Sequence, residues 1–406
     1  MLFNLNDFLR AVSNTLDVIE ADIFGVSSNH SKRIAYISLM IANELNLTGH
    51  EIFDLVSLSI LHDNGASLKV LHDRLRGSAK EKLDMLESMQ EHCLIGEENV
   101  TVYPFLTHPK DVIKYHHERY DGSGFFNLSG EAIPLMAQII SFSDTLDLHF
   151  DLKNIHKEDK LKDNVINFVC QQQNKYFSPV LVNAFLEIVP LDNFWIGLSD
   201  ASIDDVLITY TPSYNMDFTY AEIHDITKTF SRIIDAKSQF TQQHSSGLAE
   251  KLERMALFYD FAEEVTLKLL IAADLHDLGK LAIKNEILDK PGRLSKEEFE
   301  EIKKHAAYTR TCLQEIRGFE DITEWACNHH ERLNGSGYPR GLSGNQIDFY
   351  SRLVACLDIY QALTEVRPYR SSVSHKDAMV VLNGMAEDKL IDAKIVADIA
   401  HVFSEK

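Results

Sequence analysis

Seven residues in the second half of the chain are of the types that hold transition metals: His244, the pair His276-Asp277, His305, the pair His329-His330, and Asp358. Imidazole nitrogens and carboxylate oxygens are the donors that first-row divalent ions take. His276 and Asp277 lie in the stretch Asp274 to Lys280, at the end of an apolar run that begins near Leu267. Both must leave water there, which is costly unless a metal or a hydrogen-bonding partner satisfies them. One such pair alone would fit two buried residues bonded to backbone. A whole set of donors around one apolar segment points to a metal. Imidazoles are neutral and leave an ion's positive charge largely intact, so such a centre could take an anionic substrate and acidify a bound water.

The same set occurs twice. His30 precedes His244 by 214 residues, as His62 precedes His276, Asp63 precedes Asp277 and Asp144 precedes Asp358. His92, His116 and His117 precede His305, His329 and His330 by 213. A near-constant offset across seven donor residues means two homologous domains. We place them at residues 1–189 and 215–406, with 190–214 as a linker.

The elements that must position these residues read as helices, so the expected fold class is all-α, two tandem helical-bundle domains. Ser295 with Glu298 reads as a capping box, and Phe299, Ile302, Ala306, Thr309, Leu313 and Ile316 follow at spacings of three and four, carrying His305 beside the inner face. Asp321 and Glu324 repeat the capping pattern before a short helix that delivers His329-His330. A loop rich in glycine (Gly335, Gly337, Gly341, Gly344) follows, and Tyr350, Leu353, Val354 and Leu357 place Asp358 on a further apolar-faced helix. Each copy closes with a helix, at Phe177 to Ile188 and at Ile391 to Phe403. Within 190–214, Phe194, Ile196 and Leu198, then Val206, Ile208 and Tyr210, alternate as in a small β-hairpin, with an extended linker as the other reading.

Composition bounds the function. At 406 residues two domains are the prior expectation, and 45% apolar with 25% charged residues is ordinary for a globular protein. No apolar stretch approaches the roughly 20 residues of a membrane span, and Met1 to Glu20 carries neither a basic start nor a cleavage site, so a cytoplasmic location without membrane attachment is expected. Five cysteines without a CxxC pair read as reduced, and Cys93 and Cys327, beside the donors, read as packing. A net charge of -21 disfavours a nucleic-acid polymer as partner.

Taken in order, His244, His276-Asp277-Leu278-Gly279-Lys280, His305, His329-His330-Glu331-Arg332, Gly335-Ser336-Gly337-Tyr338-Pro339 and Asp358 resemble the HD-GYP family, a subgroup of HD-domain metal-dependent phosphohydrolases. The resemblance covers residues 220–404 and, in degenerate form, 20–189. It implies helical bundles that hydrolyse cyclic dinucleotides, cyclic di-GMP or 3',3'-cyclic GMP-AMP, to the linear 5'-phosphorylated product. It also implies two divalent ions, iron or manganese, bridged by Asp277, with His244, His276 and Asp358 on one and His305, His329 and His330 on the other. Phe240 stands where members with a third metal have Glu, so two ions are expected, and Asn334 replaces the usual loop Asp. Signalling proteins as partners and a homodimer are compatible with this reading.

Around the donors, Lys280 is four residues after His276 and can point at phosphate or hydroxide, or be a solvated helix-end lysine. Together with Asp277 it forms the expected catalytic pair. Gly337, Tyr338 and Pro339 are expected to contact substrate: glycines let the loop approach a ligand or simply turn, and Tyr338 stacks on a base or packs. Arg367 and Arg370 offer forked contacts to a second phosphate, or lie on the surface. Glu331 orients a ligating His or pairs with Arg332. The first copy keeps His30, His62, Asp63, His92, His116, His117 and Asp144, which could hold metal or survive as a polar core. It lacks the substrate-handling groups: Ala66 stands for Lys280, Phe125-Phe126 for Tyr338-Pro339, and Lys153 to His156 for Arg367 to Arg370. The first copy is thus expected to be regulatory or structural. Two other readings are a non-catalytic cyclic-dinucleotide sensor or scaffold, and a generic HD nucleotide phosphohydrolase.

Overall fold

The computed structural model describes residues 1–24, 28–65, 90–237, 244–290, 292–365 and 372–404. Among the described residues the fold is all-α apart from one two-stranded antiparallel sheet, in which Leu2–Phe3 pairs with Met216–Asp217. No helix among the described residues is long and apolar enough to cross a membrane. The chain divides into two compact units, Asn4–Asn215 and Met216–Lys406, the second completed by Met1–Phe3.

That completion is legible only in three dimensions. The Met1 ammonium donates to the Phe218 carbonyl at 2.5 Å, and the Phe3 ring meets Phe218 edge-on at 5.6 Å and stacks on Phe319 at 6.3 Å. Phe3 is buried, so the first residues belong energetically to the core of the second unit.

Residues 190–214 form neither a hairpin nor an extended linker. They make two short helices, Asp192–Gly197 and Ile203–Tyr210, inside the first unit. The alternating reading requires Ile196 and Ile208 to be inside, yet they are 46% and 57% exposed, whereas Phe194 and Trp195 are 2% and 3% exposed. Phe194, Leu198, Ile203 and Leu207 bury one helical face, with Phe194 stacked on Tyr36 at 5.9 Å, and Trp195 Nε1 donates to the Val189 carbonyl. Packing against Tyr36 selects the helical period over the period of two.

In the second unit the donor-bearing elements are the helices His244–Phe258, Glu263–Leu275, Lys296–Leu313, Glu320–Cys327 and Phe349–Thr364. The Ser295 capping box forms with both halves present. The Asp321 cap does not: Phe319 is the N-cap, and Asp321 lies in the first turn, where it accepts from Lys268. Glu324 instead accepts from Arg310, which also donates to Asn328 Oδ1 and thereby ties the His305 helix to the segment before His329. The helix Glu263–Leu275 is buried continuously from Leu269, and it ends at Leu275 rather than running on. A 3₁₀ turn, Leu278–Ala282, follows.

Candidate metal centre

The end of that helix places the central carboxylate. His276 occupies the cap position, and Asp277 sits between the helix and the 3₁₀ turn. Gly279 lets the turn lie against the helix Lys296–Leu313: a Cβ there would collide with the His305 carbonyl oxygen. The Gly279 N–H donates to Thr309 Oγ1 at 2.9 Å, and the Thr309 hydroxyl donates to the His276 carbonyl at 3.1 Å. One backbone crossing therefore brings Asp277 up to His305.

Two sets of donors converge. Ligand atoms of His244, His276 and Asp358 lie within 4.8 Å of one another, as do those of His305, His329 and His330. Asp277 stands between the sets. Its Oδ2 is 3.1 Å from His276 Nε2, and its Oδ1 is 3.5 Å from His305 Nε2 and 3.9 Å from His329 Nε2. All seven residues expected from sequence are thus brought into one centre.

Backbone carbonyls set the imidazole tautomers. The Nδ1 atoms of His276, His305 and His329 face the carbonyls of Ala273, Ile302 and Ala326 at 2.7, 2.6 and 2.6 Å, so Nδ1 carries the proton and the Nε2 lone pair turns inward. Burial pushes His305 and His329 down to about 4 and about 3, and burial with the neighbouring His329 and His305 rings also lowers His330, which keeps these imidazoles neutral. His244 differs. Burial opposes its charge, but hydrogen bonds to Asp358 (2.9 Å) and Glu365 (3.1 Å) outweigh it and raise it to about 9. Burial would raise the Asp277 carboxyl, yet His276 and Lys280 hold it well below the usual range. The buried atoms His276 Nε2 and Asp277 Oδ1 have no well-formed hydrogen bond among the described residues. The neutral inward nitrogens of His305, His329 and His330, the ionised carboxylates and the orphaned buried donor atoms fit divalent metal ions.

Glu365 was not singled out from sequence, although it lies seven residues after Asp358, on the same helix face two turns on. The role of Glu331 was also missed. It neither orients a histidine nor pairs with Arg332: its buried carboxylate accepts the backbone N–H groups of Arg340 at 2.7 Å and Leu342 at 2.8 Å, pinning the glycine loop. Gly337 serves the same packing, since a Cβ there would collide with the backbone of Glu331 and Arg332. Asn334 closes an Asx turn by accepting from the Ser336 N–H at 3.0 Å. Glu331→Ala is expected to cost on the order of 1 kcal/mol by orphaning two partly buried N–H groups. Urea unfolding checks this, and an unchanged midpoint would contradict it.

Lys280 lies on the 3₁₀ turn, so its reach is to the residue three before it. Its Nζ is 2.5 Å from Asp277 Oδ2, and the ammonium does not extend along a continuing helix from His276. The Tyr338 ring packs on His330 at 4.8 Å and reaches His305 at 6.3 Å, with the peptide bond to Pro339 in the cis form. Arg367, Arg370, Phe240 and Ala66 lie outside the described residues.

The first unit repeats the geometry. His30, His62 and Asp144 converge within 4.8 Å, and so do His92, Cys93, His116 and His117. Asp63 again lies between, with Oδ2 at 3.6 Å from His62 Nε2 and Oδ1 at 3.7 and 3.4 Å from His92 and His116 Nε2. Glu118 holds the loop through the N–H groups of Phe126 and Leu128. This alignment corrects the sequence pairing: Phe126 takes the place of Arg340, and Phe125 alone stands for Tyr338-Pro339, 5.4 Å from His117. His30 Nδ1 is held by Asp147 at 2.6 Å, and Asp147 also accepts both Nε and Nη2 of Arg33.

Comparison with known proteins also finds two copies in this chain. The HD-domain family model matches residues 18–179 and 228–395. A protein named 3'3'-cGAMP-specific phosphodiesterase 1, from Vibrio cholerae serotype O1, is 30% identical over 401 residues, covering 97% of this chain and 90% of its own length. A probable cyclic di-GMP phosphodiesterase of the same organism is 33% identical over 184 residues, 41% of this chain and 42% of that protein. A crystal structure of a cyclic GMP-AMP specific phosphodiesterase of V. cholerae superposes with a TM-score of 0.68 at 24% identity, over 100% of this chain and 99% of that one, which is a likeness of fold.

Proposed function

The chain belongs to the HD-domain family, in two copies of the HD-GYP type, and from that membership we propose that its second unit is a metal-dependent phosphodiesterase that opens one 3'-5' linkage of a cyclic dinucleotide. The observation that carries this reading is Asp277, whose two oxygens face the two sets of inward nitrogens. His244, His276 and Asp358 would hold one divalent ion, His305, His329 and His330 the other, and Asp277 both. When bound, such ions polarise phosphoryl oxygens and acidify the attacking water. We take iron or manganese as the ions and the cytoplasm as the place of work.

The chain's own residues do the rest. The carbonyl of Ala273 and its counterparts hold the rings in one tautomer, and Glu365 holds the His244 ring from its far side. Lys280, paired with Asp277, would set its ammonium beside that carboxylate and a scissile phosphate. The Tyr338 ring covers His330, and its partly exposed side offers a base a stacking face. The relatives' substrates favour 3',3'-cyclic GMP-AMP as the first to assay, with cyclic di-GMP the second. Metal-loaded protein should convert a cyclic dinucleotide to a linear product heavier by one water, identified by mass. Unchanged substrate in every case would contradict the proposal.

Arg367 and Arg370 are proposed to bind the second, non-reacting phosphate. Replacing both with Ala should then lower turnover of a cyclic dinucleotide by at least about tenfold, through lost forked contacts, and spare a small chromogenic phosphodiester. Equal losses on the two substrates would assign the arginines to folding or to the metal site.

A further inference from the structure

We propose that the first unit holds one closed, structural metal site of the zinc type, in which Cys93 completes a tetrahedral set with His92, His116 and His117. The thiol is specific to this copy. Aligned by the offset of the neighbouring histidines, Cys93 stands where the second copy has Ala306. Its Sγ is fully buried, 3.4 Å from His92 Nε2, and the four ligand atoms lie within 4.8 Å of one another. An ion with bonds of about 2.0 Å to nitrogen and about 2.3 Å to sulfur, in tetrahedral geometry, sets an N–S edge of about 3.5 Å.

Independent atoms point at the same space. His116 is fully buried, and its Nδ1 is committed to the Ile113 carbonyl at 2.5 Å, which turns the Nε2 lone pair inward. That Nε2 and His117 Nε2 are both buried without a hydrogen bond among the described residues. On binding, the Cys93 S–H bond breaks, an S–metal bond forms and the proton leaves to solvent. Catalytic zinc sites keep a position open for water, whereas structural ones are filled by protein donors. Here Cys93 fills the fourth position and Phe125 lies over the set, 5.4 Å from His117 and 6.3 Å from His92. A site closed in this way can brace the first unit but cannot present a water to phosphate.

The test uses the full-length chain, stripped of metal and reloaded with cobalt(II) as the probe. Among the described residues no cysteine belongs to either donor set of the second unit, so a thiolate-to-cobalt charge-transfer band in the near-ultraviolet reports on Cys93. The band should be present in the wild type, persist in His276→Ala and in Cys327→Ala, and vanish in Cys93→Ala, which installs the residue the second copy carries. Zinc retention against a chelator should fall at least about tenfold in Cys93→Ala while turnover is kept. Cys93→Ser, nearly the same size, gives a second variant if Cys93→Ala folds poorly, and it too should lose the band. A wild-type chain that takes up cobalt without the band, or a band that survives unchanged in both Cys93 variants, would overturn the proposal.

Discussion

Asp277→Ala is expected to remove bound metal from the second unit and lower turnover of a cyclic dinucleotide by at least about 10³-fold. The argument is electrostatic and geometric. Six other donors converge on the centre, but five of them are imidazoles, and three of those lie in one set without any carboxylate of their own. Without Asp277, that set would have to hold a divalent ion on neutral rings alone, and Lys280 would lose its 2.5 Å partner and present an uncompensated cation to the site. Asp277→Asn is the sharper variant, because it keeps shape and removes charge. Elemental analysis after size-exclusion chromatography reads the metal, and a steady-state assay reads turnover. A variant that retained both metals and normal hydrolysis would remove Asp277 from the centre.

The donor set was legible because metal chemistry restricts residue type so tightly. Only His, Cys, Asp and Glu serve, and two copies at a near-constant offset separate the seven converging donor positions from the other histidines. The helices around them were legible for a similar reason: Leu353, Val354 and Leu357 are all fully buried on the face pattern that carries Asp358. What escaped depends on where the chain turns. Lys280 reads as a helical neighbour of His276 only if the helix continues, and it stops at Leu275 because Gly279 packs on the His305 carbonyl, a tertiary contact with no local signature. Glu331 escaped because its partners are backbone N–H groups nine and eleven residues away, and backbone carries no sequence signal. The strand at Leu2–Phe3 escaped because its partner is more than two hundred residues on. The deletion opposite Tyr338-Pro339 is invisible until Glu118 and Glu331 are seen to grip equivalent loops.

Catalysis in the second unit alone is the central claim, and the maximal rate at saturating substrate, compared between His276→Ala and the double variant His62→Ala with Asp63→Ala, tests it most directly. The two changes remove equivalent buried donors: His276 and His62 each hold Nδ1 on a backbone carbonyl three residues back and turn Nε2 inward. If only the second unit carries out the reaction, His276→Ala should abolish turnover, falling by at least about 10³-fold, because one donor set loses a ligand. The double variant should keep the maximal rate, with its cost confined to stability or to the substrate concentration needed for half-saturation. Circular dichroism of both variants establishes that each is folded before rates are compared. A folded first-unit variant that is as inactive as His276→Ala would contradict the account, and would mean that the two centres act together or in sequence.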